Sequence, residues 1–394
     1  MELQYLDALI GLPVSTIDTP ALVIDLDAME RNLAAMAAFA RKHQVKLRPH
    51  AKTHKSAALA KLQMAAGAVG VCVQKTSEAE ALVAAGIYNI FISNEVISPM
   101  KLVRVATLTR AVLPHGGKIA ICVDSIQGIS SLASSMNSGR VASGIATEID
   151  VFIEVNVGHD RCGVEPGAAA VALALEIRKH PALNFAGLQA YHGKAQHLRT
   201  PALRREAFTL ALKAVLWTRQ LIEAEGMKVG LITGAGTGTA ALEAASHVYG
   251  ELQAGSYLFM DADYAANQLD DKALRFEHAL FVKTQVISTH TGPTPYVVCD
   301  AGHKSHAIDS GLPLVHSFSS RSTLAYFNGG DEHGILKPTA GSTRLPRLGG
   351  LLWLIPGHCD PTVNLHDAMI GVRGGLLNGV VESIIKVDAR GALS

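Results

Sequence analysis

Short apolar runs alternate with helix-like stretches from residue 20 to residue 260, and no other feature of the chain restricts its fold as tightly. The runs are Ala21–Leu26, Val45–His50, Gly70–Gln74, Asn89–Ser93, Lys118–Asp124, Ile149–Val155, Phe185–Tyr191, Val229–Thr233 and Glu251–Tyr257. Each is four to eight residues long, rich in Val and Ile and apolar nearly throughout, the pattern of strands buried on both faces. The stretches between them carry apolar residues at helical spacing, most clearly Asp27–His43 and Thr200–Gly226. Repeated strand-then-helix units predict a parallel sheet with right-handed crossovers. Eight of them close into a barrel whose working groups sit at the C-terminal ends of the strands. Nine runs are one too many, so the first or the last belongs elsewhere.

Beyond about residue 270 the texture changes. Ala279–Ser288, Pro295–Asp300, Leu351–Ile355, Ala368–Val372 and Val380–Val387 are short strand-like runs between Gly, Pro and Asp turns. They predict a second, mostly antiparallel β domain. No repeat, low-complexity tract or long linker separates the two parts, which implies an extensive shared contact. Two domains are also what 394 residues lead one to expect. With 48% hydrophobic and 18% charged residues, the chain has material for a large core and lacks the polar bias of disorder. A net charge of +1 offers no basic stripe for nucleic acid. No run of 18 apolar residues suggests a transmembrane helix, and residues 1–12 lack the basic start of a signal peptide. Cys72, Cys122, Cys162, Cys299 and Cys359 are scattered and form no CxxC pair, which fits the reducing cytoplasm.

Three segments concentrate chemistry. The run Val45–His50 leads into Arg48-Pro49-His50-Ala51-Lys52-Thr53-His54-Lys55. A lysine partly buried among cations has a lowered pKa and becomes an amine nucleophile for an aldehyde. From spacing alone, a solvated basic turn is the commoner outcome. Thr233-Gly234-Ala235-Gly236-Thr237-Gly238-Thr239 follows another strand and precedes a helix-like run, an arrangement that suits a phosphate. It is neither a Walker loop nor a dinucleotide fingerprint, because no Gly-Lys-Ser/Thr follows and it lies near the end of the alternating region. A phosphate site after the last strands is usual in barrels. Third, His358 and Asp360 in Gly357-His358-Cys359-Asp360 are two apart, so on an extended chain they share a face. Such a pair suits Mn²⁺, Mg²⁺ or Zn²⁺ according to its other ligands, and a polar loop with satisfied side chains explains it equally well.

In this order, together with Gly158-His159-Asp160-Arg161-Cys162-Gly163, Gly187–Gly193, Glu251–Asp261 and Asp331-Glu332-His333-Gly334, these segments resemble the D-threonine aldolases. Those are pyridoxal phosphate (PLP) enzymes of the alanine-racemase-like group, PLP fold type III, which also holds 3-hydroxy-D-aspartate aldolases and D-serine dehydratases. The resemblance runs nearly end to end. It implies a (β/α)8 barrel of TIM type over residues 27–265, with residues 1–26 and 266–394 forming the β domain. That resolves the ninth strand: Ala21–Leu26 goes to the β domain. The resemblance makes Lys52 the lysine that binds PLP through its amine and Arg161 the partner of the cofactor's phenolic oxygen. It gives the phosphate to the amides of Gly236, Thr237, Gly255 and Ser256, aided by nearby hydroxyls. Thr233, Tyr191 and Tyr257 complete the cofactor set, with Gln253 near the pyridine nitrogen. His358 and Asp360 become the metal pair, with Mn²⁺ first and Mg²⁺ or Zn²⁺ as alternatives, and His192 the catalytic base.

The implied reaction cleaves a D-3-hydroxy amino acid to glycine and an aldehyde, in a homodimer with a small-molecule substrate. A dehydratase giving a 2-oxo acid and ammonia uses the same parts, but its group tends to have His-x-Cys where this chain has His358-x-Asp360. Hydroxyaspartate aldolases tend to have glutamine at the place of His192. A racemase needs no metal pair, and the non-catalytic PLP-binding proteins of the group lack the β domain. Open roles remain for His197, which is a candidate for the same pocket as His192, and for His303, His306, Arg321, Tyr326 and the Asp331–Gly334 motif.

Overall fold

The computed structural model describes residues 4–143, 147–270, 273–318, 323–339, 342 and 344–394, so Arg321 lies outside the described residues. Eight short parallel strands form one curled sheet: β2 (Lys46–Leu47), β3 (Val71–Val73), β4 (Asn89–Glu95), β5 (Lys118–Val123), β6 (Ile149–Glu154), β7 (Leu183–Ala190), β8 (Leu231–Gly234) and β9 (Glu251–Leu252). β2 pairs with β9, and a parallel bridge from His50 to Cys72 joins the two ends of the series. The strand β1 (Ala21–Asp25) takes no part. It lies in the other sheet, antiparallel to β10 (Leu280–His290) and parallel to β16 (Ala368–Arg373). The fold class read from the sequence, a barrel with a mostly antiparallel β domain, is the one observed.

Helices flank the barrel strands, and their ends follow local chemistry. Asp25 caps Leu26–His43, its Oδ1 accepting from the Ala28 amide at 3.0 Å. Thr200 caps Pro201–Ala224 in the same way, with proline in the first turn where no amide is needed. Inside the barrel Phe91 and Phe152 pack at a centroid distance of 4.8 Å beside Cys72 and Cys122. The second sheet adds β11 (Tyr296–Cys299), β12 (Leu314–Val315), β13 (Leu324–Asn328), β14 (Gly334–Pro338), β15 (Leu351–Ile355) and β17 (Val380–Lys386). The β13–β14 hairpin was not evident in the sequence, because its loop and strands carry charged and aromatic residues in no clean alternation. Among the described residues, no helix is long and apolar enough to cross a membrane, and all five cysteines are free.

Candidate active site

The basic run after β2 is not a solvated turn. Arg48 points into the barrel, its Nε donating to Glu251 Oε2 at 3.0 Å and its Nη1 to Asn89 Oδ1 at 2.9 Å. Lys55 is buried against Glu78 at 3.3 Å and donates to Asn364 Oδ1 at 2.9 Å. His50 faces Ser93 and His54 faces Gln63. Lys52, on the short helical turn Ala51–Thr53, sends its Nζ into a cavity, where it meets Asp360 Oδ2 at 2.8 Å. That carboxylate raises the amine above the ordinary lysine range. The lowering expected from neighbouring cations is overturned, because the dominant charge arrives from a distant segment of the chain.

The cavity, of about 580 Å³, opens at the C-terminal ends of the barrel strands. Lys52, Arg161, Tyr191, Gly236, Thr237, Gln253, Gly255 and Ser256 all line it. Thr233, Tyr257 and His192 of the expected set do not, nor do His358 and Asp360. Thr233 lies beneath the floor, its Oγ1 donating to Glu251 Oε1 at 3.0 Å and accepting from Gln253 Nε2 at 2.9 Å. Tyr257 is fully buried, its hydroxyl accepting from Gln63 Nε2 at 3.1 Å and its ring against Phe276. The chain leaves β9 after Leu252 and turns helical at Ser256–Leu258, which aims Tyr257 into the core. His192 stands beside the cavity wall, its ring so close to Gly158 that a Cβ there would lie 2.8 Å from Nε2.

Another imidazole lines the cavity. His159 passes over Gly193, where a Cβ would lie 1.8 Å from its ring, and tilts on Tyr191 at 5.9 Å. The two histidines thus interlock, each against the glycine beside the other. Both have a buried Nδ1 without a partner, and burial lowers both pKa values, His159 to about 4. Sequence reasoning missed His159. The usable signal was its place in the loop after β6, beside Arg161. His197 also lines the cavity and pairs with Asp263 at 2.6 Å.

The residues fit PLP. Thr237 Oγ1 is buried and unpartnered. Among the described residues, no acceptor is found for the amides of Gly236, Thr237 and Gly255. A Cβ on Gly236 would strike Gln196 at 2.4 Å, so glycine there keeps the turn close to its support. Arg161 Nη2 lies 3.9 Å from Glu154 Oε1. Burial and the neighbouring Glu95 push the Glu154 carboxyl up to about 8. Arg161 therefore lines the cavity beside a carboxyl whose ionisation burial disfavours.

His358 and Asp360 converge, though not on an extended chain. His358 ends the approach from β15 and Asp360 lies in the first turn of the helix Cys359–Val363, so a corner brings His358 Nε2 to 3.9 Å from Asp360 Oδ2. Two ligands each about 2.1 Å from one ion stand roughly 3–4 Å apart. Burial alone would raise the Asp360 carboxyl, but Lys52 and His358 hold it well below the usual range, and its Oδ1 is buried without a partner. Cys359 faces the core, its Sγ donating to Met260 O. Among the described residues no group of three or more His, Cys, Asp or Glu forms a ready-made metal cage. The pair thus fits an ion whose remaining positions are filled from solution or substrate. His306 is fully buried on Tyr326, and His303 pairs with Asp331, so neither histidine lines the cavity.

A family model described as the alanine racemase N-terminal domain matches residues 24–263, and one described as a putative serine dehydratase domain matches residues 279–372. Barrel, lysine and second domain together define the alanine-racemase-like class of PLP-dependent proteins. A D-threonine aldolase of Arthrobacter sp is 46% identical over 382 residues, which is 97% of this chain and 95% of that one. A 3-hydroxy-D-aspartate aldolase of Paracoccus denitrificans (strain Pd 1222) is 40% identical over 396 residues, 99% and 97% of the two chains. The solved structure of a D-threonine aldolase from Filomicrobium marinum matches with a TM-score of 0.90 at 44% identity, covering 98% of this chain and 99% of that one. The chain belongs to the D-threonine aldolase family.

Proposed function

We propose that this protein cleaves D-3-hydroxy amino acids of the D-threonine, D-allothreonine and D-phenylserine type to glycine and an aldehyde. On this reading PLP is held at Lys52 and a divalent metal, Mn²⁺ in first place, at His358 and Asp360. The barrel of residues 27–265 carries the cofactor and the β domain of residues 1–26 and 266–394 carries the metal, in a cytoplasmic homodimer. The observation that carries the reading is the 2.8 Å contact between Lys52 Nζ and Asp360 Oδ2. The contact supports the reading because it brings the carboxylate of the metal pair to the amine that would anchor the cofactor, next to where the substrate would lie.

Bound at Lys52, PLP would supply an electron sink, and a metal at His358 and Asp360 would supply positive charge that makes the substrate hydroxyl more acidic. The chain's residues do the rest. Amides of Gly236, Thr237, Gly255 and Ser256 hold the phosphate, and Arg161 and Tyr191 orient the ring. His192, kept neutral by burial, takes the β-hydroxyl proton as general base. The Cα–Cβ bond then breaks, the aldehyde leaves, and a proton delivered to Cα completes glycine. His159 is a second candidate for the base, favoured by its place in the cavity wall.

The family match to a serine dehydratase domain over residues 279–372 keeps β-elimination as the alternative. Product analysis separates the two. With D-threonine, D-phenylserine, 3-hydroxy-D-aspartate and D-serine we expect glycine and aldehyde from the first two, abolished by a chelator and restored by Mn²⁺. A 2-oxo acid and ammonia in their place would establish the dehydratase. Activity indifferent to complete metal removal would strip His358 and Asp360 of their role.

A further inference from the structure

The β-domain loop spanning residues 301–310 plays no part in the mechanism above, yet its end touches the metal pair. Asp309 Oδ2 lies 2.7 Å from His358 Nδ1. Ser310 Oγ donates to Asp309 Oδ2 at 3.0 Å and lies 3.4 Å from the same His358 nitrogen. With its Nδ1 proton given to Asp309, His358 keeps the Nε2 lone pair for the side that faces Asp360. Imidazoles that ligate metals commonly donate their other nitrogen to a carboxylate, which fixes tautomer and ring angle and raises ligand basicity.

We propose that Asp309 is the positioning residue of the metal pair, fixing the tautomer and direction of His358. The proposal rests on the reading of His358 and Asp360 as ligands. It also gives work to two motifs that the mechanism leaves idle. Asp309 is 51% exposed, so burial does not hold it; the loop behind it does. Gly302 packs so closely on Asp331 that a Cβ would lie 2.4 Å from its carbonyl oxygen. The amides of His303 and Lys304 donate to Gly330 O and Asp331 O at 3.2 and 3.0 Å. His306 Nε2 lies 3.0 Å from the Tyr326 hydroxyl. The loop then reaches the metal segment, where the Ala307 amide donates to Thr362 Oγ1 at 3.0 Å and Thr362 Oγ1 donates to His358 O at 2.7 Å. The β13–β14 hairpin therefore grips the loop, and the loop holds His358 through both its ring and its backbone.

Mn²⁺ titration of PLP-loaded, metal-stripped protein tests this. Asp309→Ala is expected to weaken Mn²⁺ binding by about 10–100-fold. Asp309→Asn loses less, since its amide oxygen still accepts from Nδ1. In both variants kcat/KM falls at limiting Mn²⁺ and recovers at saturating Mn²⁺, with the absorbance of the bound cofactor unchanged. Unchanged Mn²⁺ affinity in Asp309→Ala, while His358→Ala and Asp360→Asn lose binding, overturns the positioning role and leaves the metal pair standing. Full Mn²⁺ affinity in all four variants removes the metal reading itself, and this proposal with it.

Discussion

At the barrel mouth every candidate group hangs just past the end of a strand: Lys52 after β2, Arg161 after β6, Tyr191 after β7, Gly236 after β8 and Gly255 after β9. Hydrogen-bonded ladders fix the strand ends, so backbone geometry sets these positions. Next to Lys52, His358 and Asp360 sit at a corner between a strand and a five-residue helix. Charged partners far away in sequence hold them: Asp309 at 2.7 Å and Lys52 at 2.8 Å. One wall is built by the sheet and the other by charge. Substitutions on the first should act through loss of a chemical group, and those on the second through misdirection of a ligand.

Lys52→Ala breaks the comparison most directly, because Lys52 belongs to both walls. The variant should lose the absorbance of the covalently bound cofactor and fall to background turnover, while its circular dichroism stays that of the parent. It should also free Asp360 Oδ2, so Mn²⁺ binding should persist. Loss of Mn²⁺ binding together with the cofactor would mean that the two walls assemble only as a unit.

The interlocked histidines give the next largest effect. Removing a general base typically costs about 10²–10⁴-fold in rate. His192→Ala should lower kcat by that factor with the cofactor spectrum intact, whereas His159→Ala should act chiefly on KM. The reverse pattern would move the base to His159, the imidazole that lines the cavity.

Legibility followed the same division. Barrel strands announce themselves as apolar runs because both of their faces are buried, and the residues at their ends could be assigned one by one. The β-domain wall was legible only as a pair of residues. Nothing local signals that Asp309 reaches His358 across 49 residues, or that Lys52 meets Asp360 across 308. The spacing of His358 and Asp360 suggested an extended segment, but the chain turns helical at Cys359, whose side chain is drawn into the core. The interlock of His159 and His192 depends on two glycines that admit the opposing rings, a contact no periodicity encodes. Tyr257 was displaced because a residue next to a site in sequence need not face it once the strand has ended, and Thr233 because, still inside β8, it is tied to Glu251 and Gln253 below the strand end.

The smallest predicted effect tests whether the barrel wall avoids charge as the β-domain wall uses it. Glu243 is buried behind the Gly236–Thr239 turn, where Thr239 Oγ1 donates to its Oε1 at 2.7 Å and Oε2 has no partner. Burial, only partly offset by that hydrogen bond, pushes its carboxyl up to about 7. An unfolded glutamate titrates near 4.3. Between those values the folded protein binds the extra proton, so Glu243's contribution is complete below about pH 4 and is lost as pH rises through 7. The loss is on the order of 4 kcal/mol. Glu243→Gln can still accept from Thr239 and carries no charge, so the variant should gain on the parent in thermal stability by a few degrees at pH 8. At pH 4 the two should differ little. Parallel Tm-against-pH curves for the two proteins would show that Glu243 ionises at no cost, and that the barrel wall tolerates buried charge as readily as the β domain does.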